Sequence, residues 1–168
     1  WPQIGFSQTE PYKLSNVEFT LDGEISHFTN SDAVIDKATR LHLEPKASYG
    51  YQEYAWSFLS EFSLLHTNYK QEGDLAGSDY ADSVSRTLPK VRLYSQLNFE
   101  RDTSLVKNGI QTLEPQMQYL YTPDKDQSDI GLYDTTKLQD DFFGLFRDKR
   151  FSSVDRIASA NQFTLGAT

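Results

Sequence analysis

Residues 17–26 read VEFTLDGEIS, and every second position in this stretch is apolar or glycine. Val17, Phe19, Leu21 and Ile25 stand on one side of the alternation. The positions between them carry carboxylates or hydroxyls. A strict period of two is the pattern of a β-strand with one apolar and one polar face. The stretch therefore predicts a β-strand whose two faces meet different surroundings.

The same alternation returns along the rest of the chain. It covers residues 40–51, 54–69, 87–100 and 113–121, with shorter candidates at 4–6 and 157–165. A helix would instead repeat its apolar positions every three to four residues. The sequence therefore predicts an all-β, antiparallel fold of about seven strands.

Strand length and aromatic placement favour a membrane barrel over a soluble sandwich. A strand that spans the outer membrane needs ~9–11 residues and carries aromatic side chains where the membrane meets water. Tyr49, Tyr51, Tyr54 and Trp56 gather near the ends of two predicted strands. In a soluble sandwich the apolar faces would meet in a shared core, and this alternative stays open. The pattern favours a section of an antiparallel transmembrane β-barrel with long extracellular loops.

The polar side of each strand would face the barrel interior. Its mixture of acids, bases and amides suits sugar and phosphate groups better than acyl chains. We expect the following residues to face the lumen and contact a ligand there: Glu18, Asp22, Glu24, Arg40, His42, Glu44, Lys46, Lys90, Arg92, Gln96, Glu100, Glu114, Gln116 and Gln118.

The predicted connections alternate between shorter and longer segments, and the two longest cover residues 70–86 and 122–153. Outer-membrane barrels have short periplasmic turns and long extracellular loops, so we expect both long connections on one side of the membrane. Tyr133 and Phe151 predict that the longer one is an ordered, packed loop. Its candidate contacts with a partner are Asp126, Asp129, Phe142, Phe143, Phe146, Arg147 and Arg150.

Composition and motifs argue against several classes of function. The net charge of −8 without a basic stripe argues against a nucleic-acid partner, and 14% aromatic residues argue against disorder. His27, His42 and His66 are isolated from any partner at metal-ligand spacing, and no cofactor-binding motif occurs. The acidic run at 124–129 places Asp129 where a calcium loop requires glycine. No catalytic pair stands out. We therefore expect neither an enzyme nor a bound cofactor or metal.

Several motifs resemble the family of LPS-assembly outer-membrane proteins (LptD, also called OstA or Imp). They are LEPQMQYLY at 113–121, DQSDI at 126–130, GLFRD at 144–148 and DRIASANQ at 155–162, with TRL at 39–41 and LEP at 43–45 fitting an earlier barrel strand. The resemblance implies a periplasmic domain followed by a large C-terminal barrel that releases lipopolysaccharide into the outer leaflet. Residues 1–168 match only a middle section of that barrel. We therefore expect a part of the barrel domain, without the periplasmic domain and the remaining strands.

The resemblance also implies partners and a location. These are the plug lipoprotein LptE inside the barrel, lipopolysaccharide, outer-membrane lipid, and the periplasmic lipopolysaccharide-transport bridge through the absent domain, all in a Gram-negative outer membrane. The predicted lumen-facing residues would then meet the plug. About seven strands leave two unpaired edges in lipid, so we expect the barrel-assembly machinery to act during folding. A soluble carbohydrate-binding sandwich, or a small outer-membrane barrel of other function, remains the alternative.

Overall fold

The computed structural model describes residues 2–30, 34–103, 109–141 and 144–168. Within these ranges the chain forms ten β-strands. They are β1 (Gln3–Ser7), β2 (Tyr12–Leu14), β3 (Val17–Thr29), β4 (Ile35–Gln52), β5 (Trp56–Gly73), β6 (Ser83–Leu97), β7 (Phe99–Thr103), β8 (Gly109–Leu113), β9 (Pro115–Thr122) and β10 (Ala160–Ala167). The described residues contain no helix that is long and apolar enough to cross a membrane.

Eight of the strands form one antiparallel sheet. Its order is β1-β3-β4-β5-β6-β9-β10, and β2 pairs with β3 beside β1. The prediction of an all-β antiparallel fold is confirmed. In the described part of the chain β1 and β10 lie at opposite edges and do not pair, so the sheet is not closed into a barrel.

The predicted number of about seven strands is wrong, mainly because one long hairpin is interrupted. β6 pairs with β9 up to Gln96 opposite Gln116, and β7 pairs with β8 from Phe99 opposite Leu113. Both pairs belong to one register. At the interruption Pro115 has no N–H to donate. The backbone of Glu114 bonds instead to Thr168, at 3.0 and 3.3 Å. Four strands therefore replace two, and β2 adds another at the amino-terminal edge.

The two faces of the sheet have opposite chemistry, as the alternation predicts. On the apolar face, twelve large side chains of β3, β4, β5, β9 and β10 are exposed by between 37% and 66% of their surface. They are Phe19, Leu21, Ile25, Leu41, Tyr51, Trp56, Phe62, Leu64, Met117, Tyr121, Phe163 and Leu165. Most of the buried polar side chains lie on the opposite, polar face: Ser26, Arg40, His42, Ser63, Thr67, Gln71, Arg86, Gln118 and Thr122. Burial is thus inverted relative to a soluble domain.

The connections divide between the two ends of the sheet. At one end, here named the loop end, lie the connections from β3 to β4, from β5 to β6 and from β9 to β10. The other, the hairpin end, carries the β4–β5 turn and the β7–β8 extension. The two longest connections lie at the same end of the sheet, as predicted, and their side of a membrane stays a prediction. Their predicted bounds are wrong, because β5 continues to Gly73, β6 begins at Ser83 and β10 begins only at Ala160.

A bulge at the start of β4 makes Gly73 necessary. The register between β4 and β5 shifts between Ile35 and Lys37, which brings backbone close to the end of β5. A Cβ atom added at Gly73 would lie 2.2 Å from the carbonyl oxygen of Val34 and 2.8 Å from the amide nitrogen of Asp36. Since both neighbours are backbone atoms, neither can rotate away.

We expect Gly73→Ala to lower the free energy of unfolding by more than about 1 kcal/mol, because the added methyl must displace the bulge. Gly50→Ala is the matched control, since a Cβ there meets nothing within 4 Å. Thermal unfolding of the two variants in detergent, followed by circular dichroism, measures the difference. Equal unfolding temperatures would contradict the role assigned to Gly73.

Candidate functional site

The long connection from β9 to β10, residues 123–159, is named here the covering loop. Its described residues, 123–141 and 144–159, lie over the polar face at the loop end. Side chains of three successive strands bind it. Arg40 of β4 donates to Asp155 at 2.7 Å, Tyr69 of β5 donates to Asp155 at 3.0 Å, and Arg86 of β6 donates to Gln127 at 2.6 Å. The covering loop is therefore fastened across the sheet.

Asp155 is the centre of these contacts, and its side chain is completely buried. Its Oδ1 accepts hydrogen bonds from Arg40 and Tyr69. Its Oδ2 accepts from the backbone amides of Tyr133 at 2.8 Å and of Asp134 at 3.2 Å. A buried carboxylate requires such donors, because removal from water disfavours its charge. Asp155 thus joins two parts of the covering loop to two strands.

Arg40 places a positive charge among the carboxylates of this site. Its guanidinium is fully buried and lies 2.6 Å from Glu24, which β3 contributes. Asp134 accepts from both terminal nitrogens, at 2.6 and 2.7 Å, in the bidentate geometry that suits arginine. Burial raises the pKa of the Asp134 carboxyl, but hydrogen bonds from Arg40 and Ser153 outweigh it and hold that pKa below its ordinary value. Asp134 is therefore charged at neutral pH.

Arg86 holds the covering loop through its backbone. It donates to the carbonyl oxygens of Val154 and Asp155 and to the side chain of Gln127. Gln127 in turn accepts from the amide of Ile157 and donates to the carbonyl of Ile157, both at 2.9 Å. The beginning and end of the covering loop are thus linked beneath Arg86.

Gln71 connects the covering loop to the shorter connection between β5 and β6. Its Nε2 donates to the carbonyl oxygens of Ala81 and Asp129, and its Oε1 accepts from the amide of Gly131 and the hydroxyl of Tyr133. Tyr133 also stacks on Phe28, with ring centroids 4.9 Å apart. Phe28 belongs to a small apolar cluster with Ile35 and Ala38, against which Leu75, Tyr80 and Tyr133 pack.

Lys90 marks a second polar contact, next to a cavity of about 390 Å³ between the covering loop and the sheet. Its ammonium lies 2.8 Å from Asp148 and 3.5 Å from Glu44. Burial raises the pKa of the Asp148 carboxyl, but the charge of Lys90 and its hydrogen bond prevail, so this pKa is lowered. Both walls of the cavity therefore carry charges that pair with each other.

The predicted lumen-facing residues of β3, β4, β6 and β9 all fall on the polar face. Glu24 and Arg40 bind the covering loop or its partners, Lys90 and Glu44 line the cavity, and His42 and Gln118 are buried. Half-buried positions outside these contacts are Asp22, Lys46, Arg92, Gln96 and Gln116, with Glu18 bonded to Lys13 and Glu114 bonded to Gln96. Glu100 lies on β7 beyond the main sheet. Whether any of them contacts a ligand stays a prediction.

The predicted contact residues of the covering loop are dispersed. The carbonyl of Asp129 binds Gln71, whereas Asp126 is exposed and accepts from the amide of Ser128. Phe146 packs edge-on against Tyr94 of β6 at 6.0 Å. Arg147 lies 3.9 Å from Asp141, and Arg150 donates to Gln162. Phe142 and Phe143 lie outside the described residues.

Sequence reasoning missed the residues that fasten the covering loop, namely Asp155, Asp134, Tyr69, Gln71 and Arg86. Gln71 and Arg86 fell within a predicted loop. The alternation of β5 could nevertheless have assigned Gln71 to the polar face, because Ser63, Thr67 and Gln71 point to the same side of that strand. No periodic pattern in the covering loop indicated that Asp155 would become buried.

Comparison with known proteins identifies the family of this chain. The family model described as LptD, LPS transport system D, matches residues 1–168. The chain belongs to the LptD family. It is 72% identical over 168 residues to an LPS-assembly protein LptD of Pseudoalteromonas translucida. It is 47% identical over 168 residues to one of Shewanella frigidimarina, and 45% identical over 179 residues to one of Aliivibrio fischeri. Each match covers 99% of this chain.

The chain spans only a part of these LptD relatives. It covers 22% of the length of the Pseudoalteromonas and Shewanella frigidimarina proteins and 23% of the Aliivibrio protein. The family description names a transport system. Among the described residues no group of three or more histidine, aspartate or glutamate side chains is placed to hold a metal ion.

We expect Asp155→Asn to destabilise the docked covering loop by about 3 kcal/mol, because it leaves the buried guanidinium of Arg40 with one carboxylate fewer. Limited proteolysis within residues 123–159 should then become faster, while the strands remain protected. Asp126→Asn is the control, since it makes the same chemical change at an exposed site. Equal cleavage rates in both variants would refute the assignment of Asp155 as the fastening residue.

Proposed function

We propose that this chain forms part of the wall of an outer-membrane barrel that inserts lipopolysaccharide into the outer leaflet of a Gram-negative bacterium. The observation that carries the proposal is the inverted burial of the sheet, with apolar side chains exposed on one face and charged side chains buried on the other. Membership of the LptD family supplies the transported molecule.

The energy of the exposed face supports a lipid environment. Complete burial of a large apolar side chain stabilises the folded state by about 1.5–3 kcal/mol. Twelve such side chains that stay roughly half exposed to water therefore lose about 10 kcal/mol of this stabilisation. That amount is comparable to the whole stability of a typical domain, ~5–15 kcal/mol. Lipid acyl chains against this face remove the loss. The aromatic pair Tyr51 and Trp56, 5.3 Å apart, would lie where the acyl chains meet the headgroups.

A carbohydrate-binding sandwich requires a second sheet against the apolar face. Within the described ranges the only other sheet is β7–β8, which extends the β6–β9 hairpin in register instead of covering it. The apolar face therefore lacks the protein partner that a sandwich would provide. In the membrane interpretation lipid contacts the apolar face, and no second sheet is required.

The edges of the sheet support a larger barrel. β1 and β10 each present unpaired backbone groups, which cost several kcal/mol apiece in lipid. Further strands of a longer protein would pair with both edges, and the barrel-assembly machinery would hold them during folding. In this proposal residues 1–168 are one part of the barrel domain, and a periplasmic domain outside these residues connects to the lipopolysaccharide-transport bridge.

The polar face would line the lumen. Half-buried residues such as Asp22, Lys46, Arg92 and Gln116 offer both charge signs and amides to sugars, phosphates or a protein surface. We assign to the covering loop the seating of the plug lipoprotein LptE, because it is fixed by buried ion pairs and presents its other side away from the sheet. A rigid surface inside the barrel would hold the plug in a single position.

The membrane assignment is tested by nitroxide labels at Phe62→Cys and Ser48→Cys. Residues 1–168 contain no native cysteine, and any cysteine elsewhere in the full-length protein is first replaced by serine. Phe62 lies on the apolar face and Ser48 on the polar face of the adjacent strand. In the full-length protein in vesicles, oxygen should relax the first label more strongly, and a water-soluble nickel chelate the second. Preference of both labels for the nickel chelate would refute the proposal.

The plug assignment is tested by replacing residues 123–153 with a short glycine–serine linker. Because the seat is removed, LptE should be retained less well, and the outer membrane should admit more of a large antibiotic. Co-purification and antibiotic uptake measure the two effects. The control replaces the exposed residues Asp124 and Lys125 with serine and keeps the loop length. Wild-type plug retention and permeability after the linker replacement would refute the assignment.

A further inference from the structure

The apolar face ends differently at its two ends. At the hairpin end it closes with Tyr51, Tyr54 and Trp56, the aromatic residues usual at a membrane boundary. At the loop end it passes into polar side chains on the same outward face, here named the loop-end border. Its members are His27, Lys37, Thr39, His66, Lys70 and Thr87. Glu72 lies opposite Lys37 on the same face and is an acid beside these residues. The named members of the border are hydrogen-bond donors, and the only rings among them are imidazoles.

The border is continuous across four strands. His27 of β3 faces Thr39 of β4, Thr39 faces Lys70 of β5, and His66 of β5 faces Thr87 of β6. On the side of the apolar face, the border is flanked by the exposed residues Ile25, Leu41 and Leu64. The change from apolar to polar residues therefore occurs at a similar height on neighbouring strands. A lipid lying along the apolar face would therefore reach the border with its headgroup.

Hydrogen bonds between the strands orient the imidazoles. His27 Nδ1 lies 3.0 Å from the hydroxyl of Thr39, and His66 Nδ1 lies 2.7 Å from the hydroxyl of Thr87. The amide of Asn68 lies 2.9 Å from His66 Nε2. These groups form short donor–acceptor chains on the surface of the sheet, which places several polar hydrogens along one line.

The two lysines give the border its charge. Lys37 and Lys70 are exposed, and Lys70 lies 3.5 Å from Glu72, with which it is only loosely paired. Beside Lys70 the surface forms a hollow of about 460 Å³, whose walls include Leu41, Thr39 and Ser83 and also the acids Glu72 and Asp82. One apolar wall and several polar walls match the junction between an acyl chain and a headgroup. A chain with a net charge of −8 nevertheless keeps both lysines on this outward border.

We infer that the loop-end border binds the phosphate groups of lipid headgroups in the leaflet that it faces. Long lysine side chains reach past an apolar surface to such a boundary, and their charge attracts an anionic membrane surface. The second N–H of the Asn68 amide adds a hydrogen bond to a phosphate oxygen. The inference rests on the proposed membrane position, and it assigns the two borders to leaflets of different headgroup chemistry.

The test uses the full-length protein with a fluorophore on Ser85→Cys, which lies on the same outward face of β6. It is placed in phosphatidylcholine vesicles containing phosphatidylglycerol, with bromine quenchers on the acyl chains of one lipid or the other. The ratio of the two quenching efficiencies reports which lipid lies next to the border. Lys37→Gln with Lys70→Gln is the test variant. Lys125→Gln with Lys149→Gln removes the same charge from exposed positions of the covering loop and is the control.

We expect roughly a tenfold local preference for phosphatidylglycerol, lost in the Lys37 and Lys70 variant and retained in the control. An unchanged preference in the test variant, an equal loss in both variants, or no preference in the parent protein overturns the inference while the membrane position stands. If neither brominated lipid quenches the parent fluorophore, the apolar face is not in lipid. That result overturns the inference and the proposed function together.

Discussion

The buried ion pair between Arg40 and Asp155 is the interaction on which the rest of the structure depends. It joins a strand to the far end of the covering loop, and Glu24, Asp134 and Tyr69 bond to the same pair. Such a pair adds little net stability, because removing two charges from water costs about what their attraction returns. The pair instead determines the position of the covering loop. An arginine with three carboxylate partners accepts one arrangement of the loop and rejects others.

Inverted burial explains why this fastening is polar. An apolar contact beneath the covering loop would compete with lipid for the same kind of surface, and it would not distinguish the two faces of the sheet. Charged and amide groups can be satisfied only on the polar face. The small cluster around Phe28 and Tyr133 is one exception, and it lies between the loops at the loop end. The buried residues Leu65, Leu88 and Leu120 of the polar face are others.

The sequence predicts the sheet well and the fastening poorly, for a physical reason. Alternation assigns Arg40 and Lys90 to the polar face because neighbouring residues of a strand must point to opposite sides. The interruption beside Pro115 follows from a missing donor that affects only one pair of strands. Asp155 has no such local rule. Its contact with Arg40 spans 115 positions, within a loop that has no repeating geometry to reveal it.

The reach of the covering loop also bears on the order of assembly. Neighbouring strands pair through connections that are close in the chain, so the hairpins from β3 to β9 can form one after another. Asp155 finds its partners only when β4 and β5 already lie side by side, and Arg86 binds the same segment only when β6 has joined them. Docking therefore comes last. A docked covering loop therefore requires that β4, β5 and β6 are already paired in the correct order.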